Sequence, residues 1–228
     1  VGLIVRRTVK PALVLSFAWA VNVWLTGEGL GFLFTANNTP DPLTGILGTA
    51  PLYIVAGLLV WPRDANDAEQ SFGLIGARGA RALWAALWLG NAALWLAPAN
   101  AGADSLSDAF TGAPAGAGWL SSVHSAVAHA VGGSGMTFAL VLAVISAEIG
   151  ISVLSGRGTR IALLASIAVS VTFWVLAEGL GGLFTGQATD VGTGPLMILI
   201  AALLAPLASR RTPAVARAQM TPVGATPR

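Results

Sequence analysis

The sequence predicts an all-α integral membrane protein with six transmembrane helices, because its composition, its apolar stretches and the positions of its basic residues agree. Of its 228 residues, 55% are apolar and only 10% are charged, whereas a soluble domain carries about 25% charged residues. Such a chain lacks the polar residues to coat a water-soluble core, so the bilayer is its predicted solvent and partner. The chain has no cysteine, which excludes disulfides, thiolate metal sites and cysteine nucleophiles.

Six apolar stretches are long enough, or nearly so, to cross a hydrocarbon core, which takes roughly 20 helical residues. They cover residues 11–34, 46–61, 80–98, 132–154, 160–184 and 195–208. The second and the sixth are the shortest. The basic start "VRRTVK" has the form of a signal peptide, but no small-residue cleavage site of the usual form follows it. The first stretch is therefore interpreted as a retained anchor.

The basic residues predict the orientation of the spans. Every Lys and Arg lies at the N-terminus, between spans two and three, between spans four and five, or in the tail, and residues 35–45, 99–131 and 185–194 contain none. Because cytoplasmic loops are enriched in Lys and Arg, both termini are predicted to be cytoplasmic, in a bacterial cytoplasmic (inner) membrane. The expected organisation is a six-span bundle over residues 1–209, with an external segment at 99–131, and a flexible tail at 210–228. All basic residues flank apolar spans, so nucleic acid is not an expected partner.

Two similar segments, "GEGLGFLFT" at 27–35 and "AEGLGGLFT" at 177–185, indicate an internal repeat. The matched residues are Trp24 with Trp174, Glu28 with Glu178, Asp41 with Asp190, Thr44 with Thr193, and Pro51 with Pro195. The two copies cover about 11–61 and 160–208, that is, spans one and two and spans five and six. Both copies then cross the membrane in the same direction, which predicts a parallel repeat with a pseudo-two-fold axis along the membrane normal.

Glu28 and Glu178 are the leading functional candidates, since ionisable residues inside spans usually face the bundle interior or a water-filled cavity. Roughly 17 apolar helical residues, or about 25 Å, precede each carboxylate, which places both in the outer part of the hydrocarbon layer. Two close carboxylates would share a proton or bind a cation. In the structural alternative, each glutamate caps loosened backbone amides around its own glycine turn.

The glycines around the two glutamates are expected to act as hinges or to allow another backbone to approach closely. They are Gly27, Gly29, Gly31, Gly179, Gly181 and Gly182. Asp41 and Asp190 each stand three residues before a threonine, a spacing typical of an Asx turn or a helix N-cap. That structural interpretation is favoured, and the functional one places both aspartates at the external mouth of the carboxylate site.

Three further ionisable residues are candidates. Glu148, in the fourth span, is either an inner station of a proton path or a hydrogen-bond partner of Ser170 or Thr172. His124 and His129, five residues apart, point about 140° from each other on a helix and do not form the i, i+4 metal clamp. Each would need a carboxylate to hold a metal ion, and a position on an amphipathic external helix is the commoner alternative. No cofactor is predicted otherwise.

Residues 177–196, "AEGLGGLFTGQATDVGTGPL", resemble the signature GLGGLFTGQATD…TGPL of a family of uncharacterised bacterial multi-pass membrane proteins. Residues 27–45 carry a degraded copy, with "NNTPDPLTG" in place of "QATDVGTG". The resemblance implies an integral membrane protein and carries no activity, substrate or cofactor. The departure at the first copy leaves the functional equivalence of the two copies open.

These observations predict a small transporter or channel-like protein for an ion or a proton-coupled small solute. Glu28 and Glu178 would form its external carboxylate site, and Glu148 an inner relay. The main alternative is a non-catalytic structural or accessory subunit of a larger membrane complex, because faces rich in Ala and Gly suit packing against other chains. The expected partners besides the bilayer are copies of the same chain or the other subunits of such a complex. The third is a membrane metal-binding protein. Enzyme chemistry is not indicated, since no serine lies in a nucleophile-elbow pattern.

Overall fold

The computed structural model describes residues 8–32, 41–43, 45, 47–62 and 72–209, and within them all regular structure is helical. The helices are α1 (Val9–Thr26), α2 (Ala50–Leu59), α3 (Gly76–Trp95), α4 (Ser105–Gly112), α5 (Gly118–Val131), α6 (Gly135–Ser155), α7 (Thr159–Leu176), α8 (Thr193–Leu203) and α9 (Pro206–Ser209). A 3-10 segment follows α1 at Gly29–Phe32 and another follows α7 at Gly179–Thr185. The all-α prediction is confirmed for these residues.

Three segments of the described chain are long and apolar enough to span a membrane, namely Val9–Thr26, Gly135–Ser155 and Thr159–Thr185. They correspond to the first, fourth and fifth predicted spans. Ala50–Leu59 and Thr193–Ser209 are apolar but shorter, and α3 carries Arg78 and Arg81 near its start. The membrane-protein class predicted from the sequence is therefore supported by three helices.

The α-helices end earlier than the apolar stretches do. The first and fifth spans were predicted to continue to residues 34 and 184, but α1 ends at Thr26 and α7 at Leu176. Glycines with positive φ follow both helices, at Gly29 and at Gly179, and a right-handed helix does not continue through that conformation. Glu28 and Glu178 consequently stand just beyond their helices.

The bundle packs as helix pairs around one apolar core. α1 packs on α2, α7 on α8 and α3 on α6, while α2 also contacts α8. The core between them includes Trp84 and Trp88 of α3 and Ile200 of α8. Gly57 allows α1 and α2 to cross closely, since a Cβ there would overlap the ring of Phe17.

Arg81 joins three helices at the end of the bundle where α6 finishes and α7 begins. Its guanidinium donates to the carbonyl of Val153 at 2.6 Å and to that of Leu207 at 3.3 Å. Both carbonyls lie in the last turn of a helix, where few amides remain to donate. The carbonyl of Val153 also accepts the amide of Gly156, and the arginine gives it a second donor. The predicted cytoplasmic residues Arg6, Arg7 and Arg63, and the tail from 210 to 228, lie outside the described residues.

The segment predicted to be external, 99–131, folds onto the opposite end of the bundle. α4 buries Leu106 and Phe110, and α5 buries Ala128 and Val131, in a second apolar cluster. This cluster also contains Trp95 and Phe173. The amide of Gly135 donates to the carbonyl of Ala103 at 2.8 Å, which fixes the segment to the start of α6. The segment covers the end of α7, close to Glu178.

Candidate functional site

The backbone turns in the same way after α1 and after α7. The amides of Gly27 and Glu28 both donate to the carbonyl of Val23, at 2.7 and 3.0 Å. The amides of Ala177 and Glu178 both donate to the carbonyl of Phe173, at 2.8 and 3.1 Å. Each pair closes the final helical turn and places a glutamate two residues beyond the last residue of the helix.

Each turn then contains a leucine in the left-handed region. Leu30 has a φ of 61° and Leu180 a φ of 59°, a conformation that costs an L-residue about 1–2 kcal/mol. Such a strained position persists only where the surrounding structure determines it. The contacts of the two glutamates and of two tryptophans provide that structure.

Each glutamate caps the helix that follows in its half of the chain. The Glu28 carboxylate accepts the amide of Ala50, at 2.9 Å to Oε1 and 3.2 Å to Oε2, at the start of α2. The Glu178 carboxylate accepts the amide of Gly194, at 3.2 and 3.3 Å, at the start of α8. A helix N-terminus has unpaired amides and a positive dipole end, so a carboxylate is stabilised there. The capped amides therefore belong to the next helix, and not to the glutamate's own glycine turn.

The tryptophans and threonines of the two segments make matching contacts. Trp24 Nε1 donates to the carbonyl of Leu47 and Trp174 Nε1 to that of Val191, both at 2.9 Å. Thr49 Oγ1 lies 3.3 Å from Thr193 Oγ1, so one hydroxyl donates to the other between the starts of α2 and α8. These contacts place Thr193 opposite Thr49. The sequence comparison instead matched Thr193 with Thr44, which lies outside the described residues.

Asp41 and Asp190 both form Asx turns. Asp41 Oδ1 accepts the amide of Leu43 at 2.8 Å, and Asp190 Oδ1 accepts the amide of Gly192 at 2.6 Å. Burial raises the pKa of the Asp41 carboxyl above its ordinary value, and the hydrogen bond from Leu43 opposes that shift. The hydrogen bonds match the favoured structural interpretation of these residues.

Glu178 lines a small, partly open cavity of about 50 Å³, and only 9% of the residue is exposed. Trp88 and Asn91 of α3 and Ser170 of α7 also line it. Trp88 Nε1 and Asn91 Oδ1 are buried and have no hydrogen-bond partner within the described part of the chain. Buried polar atoms are normally paired, and these two are exceptions that the surrounding protein atoms enclose, as are Nε1 of Trp84 and Nε1 of Trp95.

The Glu178 carboxylate has room because the neighbouring residues are glycines, which have no Cβ. Gly192 has a φ of 87°, and a Cβ on it would overlap Glu178 Oε2. A Cβ on Gly181 would lie 2.7 Å from the carbonyl oxygen of Val191, and one on Gly179 would overlap the carbonyl oxygen of Pro114. Glycines are thus required around Glu178 for close approach of other backbone segments.

Glu28 faces a different space, an open groove of about 830 Å³ between α1 and α2. Leu15 and Trp19 of α1 form its apolar wall, and Asp190 and Tyr53 lie at the same end as Glu28. The structure therefore brings Glu28 together with Asp190, while Glu28 and Glu178 line separate cavities.

The remaining candidates lie away from both cavities. Glu148 is exposed on α6, and among the described residues no hydrogen bond joins it to Ser170 or Thr172. Thr172 Oγ1 donates instead to the carbonyl of Ala168 at 2.9 Å. Gly27 has an ordinary negative φ, Gly29 has a positive φ with open space beside it, and no side-chain surroundings are described for Gly31.

His124 is buried, whereas a histidine of the external segment was more commonly expected to be exposed on an amphipathic helix. It is 3% exposed, and its Nε2 lies 2.8 Å from the carbonyl oxygen of Val175 near the end of α7. The fold of α4 and α5 over α7 buries it, whereas His129 is exposed. No group of three or more His, Cys, Asp or Glu side chains that could hold a metal ion occurs among the described residues.

Sequence reasoning missed Trp88 and Asn91 as site residues. Asn91 is a lone amide in the apolar run "LWLGNAALW" of the third predicted span. Polar side chains inside spans usually face the bundle interior. Applied to Asn91, this rule would have predicted that its amide lies inside the bundle. Trp88 carried no signal, because an apolar helix offers many positions for an indole.

The fold and the site define a helical protein with helices able to span a membrane and a buried carboxylate beside a small cavity. Comparison of the chain with protein-family models, with curated proteins and with solved structures finds no match.

Proposed function

We propose that this chain is a small transporter or channel-like protein of the bacterial cytoplasmic membrane that handles an ion or a proton-coupled small solute through an outward-facing carboxylate site. The observation that carries the proposal is the position of Glu178. Glu178 is almost fully buried, and it lines a cavity together with the polar residues Asn91, Ser170 and Thr193. A purely structural cap has no need of such a cavity, because hydrogen bonds from Gly194 and Thr193 already complete the cap.

The proposed topology has six spans, cytoplasmic termini and a parallel repeat of α1–α2 and α7–α8. The matching hydrogen bonds of Glu28 and Glu178, and the contact between Thr49 and Thr193, support a pseudo-two-fold axis between α2 and α8. α2 has 10 residues, or about 15 Å of helix. The segment before α2 would complete the crossing, since irregular backbone is tolerated at membrane depth where it lines a cavity. Pro42, Leu43 and Gly48 do line the Glu178 cavity.

This topology gives the external side a strongly anionic character. The acidic residues on that side are Glu28, Asp41, Asp104, Asp108, Glu178 and Asp190. All Lys and Arg residues lie in the proposed cytoplasmic segments or at the cytoplasmic ends of the spans. A surface of one charge sign raises the local concentration of oppositely charged ions, so the substrate is expected to be a cation, or a solute that moves with one.

The experiment is a flux assay on the full chain in liposomes, with dyes for protons, sodium and potassium. The double variant Glu28→Gln with Glu178→Gln keeps an oxygen for each helix cap and removes both charges. We expect its flux to fall at least about ten-fold. Asp108→Asn is the matched control, because Asp108 is exposed on α4 and lines neither cavity. It removes one of six external carboxylates, so its flux should stay within about two-fold of the wild type. Unchanged flux in the double variant would overturn the proposal.

A second candidate function is an accessory subunit of a larger membrane complex. The observation that favours it is the sparse packing of α1, in which only Leu13 and Ala20 are buried. The groove beside α1 also presents Glu28, Tyr53 and Asp190. Purification in a mild detergent discriminates the two functions, since a stoichiometric second chain favours the subunit and a chain purified alone with flux activity favours transport.

A further inference from the structure

We propose that the groove between α1 and α2 binds a lipophilic organic cation, with the positive charge at Glu28 and Asp190 and the apolar body along α1. The groove has a volume of about 830 Å³, and pockets for organic ligands generally have about 300–1,000 Å³. The cavity beside Glu178 has about 50 Å³ and is too small for such a ligand. The groove is therefore a second binding site, separate from the site of the proposed ion.

Two carboxylates give one end of the groove a negative charge. Glu28 and Asp190 both line this end and interact electrostatically with each other. None of the described residues that line the groove is basic. Two carboxylates at short range repel each other, and a positive charge beside both of them removes that repulsion. The charge of the groove is thus complementary to a cation.

Both carboxylates are accessible from the groove. Asp190 is exposed and Glu28 is half-buried. The Glu28 carboxylate accepts backbone amides at the start of α2, and Asp190 Oδ1 accepts the amide of Gly192. A carboxylate has about four acceptor sites on its two oxygens. The amide bonds therefore leave both side chains able to pair with a cation.

The walls of the groove are apolar, and each of the two helices contributes an exposed aromatic ring. Leu15 and Trp19 of α1 are 72% and 68% exposed, and Tyr53 of α2 is 45% exposed. The Tyr53 hydroxyl interacts electrostatically with Glu28 and Asp190, so it lies at the charged end. The face of an aromatic ring attracts a cation, and rings as exposed as these are in reach of a ligand in the groove.

The groove matches a ligand that has its charge at one end. Leu15 and Val23 both line it and are about 12 Å apart along the helix, while Glu28 lies beyond the end of α1. A phospholipid also has an apolar body, but its phosphate would lie close to the two carboxylates, and like charges repel. A small inorganic cation gains nothing from the apolar wall. An organic cation with an apolar body uses both parts of the groove.

The test is the binding of radiolabelled tetraphenylphosphonium to the purified full chain in detergent, with protein-free micelles as the blank. We expect saturable binding of one cation per chain. Tetraphenylborate, which has nearly the same shape and the opposite charge, should show no saturable binding when it is measured separately. Tetraethylammonium has the same charge and a smaller apolar body. It should displace tetraphenylphosphonium only at a concentration at least about ten-fold higher than the unlabelled compound needs.

Three results of these measurements would overturn the proposal. The first is the absence of saturable tetraphenylphosphonium binding, and the second is equal binding of tetraphenylborate. The third is displacement by an equal concentration of phosphatidylethanolamine, which would assign the groove to a lipid. All three are measured on the wild-type chain, so they remain decisive if a variant does not fold.

Variants locate the binding in the groove. The double variant Glu28→Gln with Asp190→Asn keeps an acceptor oxygen at both positions and removes both charges. It should raise the half-saturating concentration of tetraphenylphosphonium at least about ten-fold. Trp19→Ala should raise it about three-fold, because an exposed contact between a cation and an aromatic ring is weak.

Each of these variants has a matched control. Asp108 is exposed on α4 and Trp119 is 55% exposed on α5, and neither lines the groove. Asp108→Asn and Trp119→Ala should therefore keep the half-saturating concentration within about two-fold of the wild type. A half-saturation that does not change in the double variant, or that changes as much in the controls, would overturn the assignment.

The groove site does not depend on the transport function. Saturable binding of tetraphenylphosphonium by a chain that shows no ion flux would support the groove site and count against the transport proposal. Ion flux without such binding would do the reverse.

Discussion

The segments around Glu28 and Glu178 share their local hydrogen bonds and differ in their surroundings. Both glutamates cap the next helix, and both follow the same turn of backbone. Glu28 is half-buried beside a groove of about 830 Å³, whereas Glu178 is almost fully buried beside a cavity of only about 50 Å³. The shared part is encoded in the local sequence, and the difference comes from residues farther along the chain.

Two elements make the difference, and both pack on the Glu178 side. α3 contributes Trp88 and Asn91 to its cavity. The segment that contains α4 and α5 covers the end of α7, through Pro114 at Gly179 and His124 at Val175. The comparison teaches that a glutamate that caps a helix becomes a candidate binding site where other helices bury its side chain.

Gly29→Ala and Gly179→Ala should give the largest contrast between the two segments. Both glycines have a φ of 53°, so the strain of the added methyl group is the same, about 1–2 kcal/mol. At Gly29 no atom lies near the new Cβ, whereas at Gly179 it overlaps the Pro114 carbonyl. We expect Gly179→Ala to lower the free energy of unfolding by at least about 3 kcal/mol in total, as measured by unfolding in detergent. Equal losses would mean that Pro114 does not hold the Gly179 turn.

Removal of the caps should give the next largest contrast. Glu178→Ala leaves the buried amide of Gly194 unpaired, at a cost of about 2–3 kcal/mol. Glu28→Ala leaves the amide of Ala50 within reach of water, and the cost should be about 0.5–1 kcal/mol. The same unfolding assay measures both, and the Gln variants serve as controls that keep an acceptor and most of the stability. A larger loss of unfolding free energy in Glu28→Ala than in Glu178→Ala would contradict the conclusion that the cap at Gly194 is the more buried one.

The histidines test whether the external segment is fixed to α7. His124→Ala removes a buried side chain and its hydrogen bond to Val175, and should lower the free energy of unfolding by about 1–2 kcal/mol. His129→Ala is the matched control on the same helix, and its effect should stay within about 0.5 kcal/mol. Proteolysis of the intact protein gives a second measurement, because cleavage between α4 and α5 should accelerate only in the His124 variant. The same cleavage rate in both variants would contradict the fixed position of this segment.

The smallest predicted effect is the coupling between the two halves at Thr49 and Thr193. A double-mutant cycle with Thr49→Val and Thr193→Val isolates the contact between the hydroxyls. We expect a coupling energy of about 0.5–1 kcal/mol, the net value of one neutral hydrogen bond. Additive single effects would show that the hydroxyls do not interact and would remove one support for the two-fold axis.

Much of the α1 and α7 halves could be predicted from sequence, because it depends on neighbouring residues. Hydropathy located both helices, and the match between the segments identified Glu28 and Glu178 as related positions. The helix ends were predicted too late by eight residues, since 34 and 184 were expected where Thr26 and Leu176 are found. Hydropathy does not register the positive φ of a glycine, so an apolar run continues where the helix stops.

The enclosure of Glu178 could not be predicted, because it depends on contacts between distant parts of the chain. Asn91 and Glu178 are brought together by the packing of α3 against the core, and no local pattern encodes that packing. His124 is buried for the same kind of reason, since α5 lies against the end of α7. Glu28 and Asp190 line the same groove for a similar reason, because α2 packs beside α8.

The central claim is that Glu178, and not Glu28, is the carboxylate of the ion site. Cation flux in liposomes, measured for Glu178→Gln and Glu28→Gln separately, tests it most directly. We predict that Glu178→Gln reduces flux at least ten-fold, while Glu28→Gln keeps at least a third of the wild-type rate. Equal flux in the two variants, or a greater loss in Glu28→Gln, would contradict the claim.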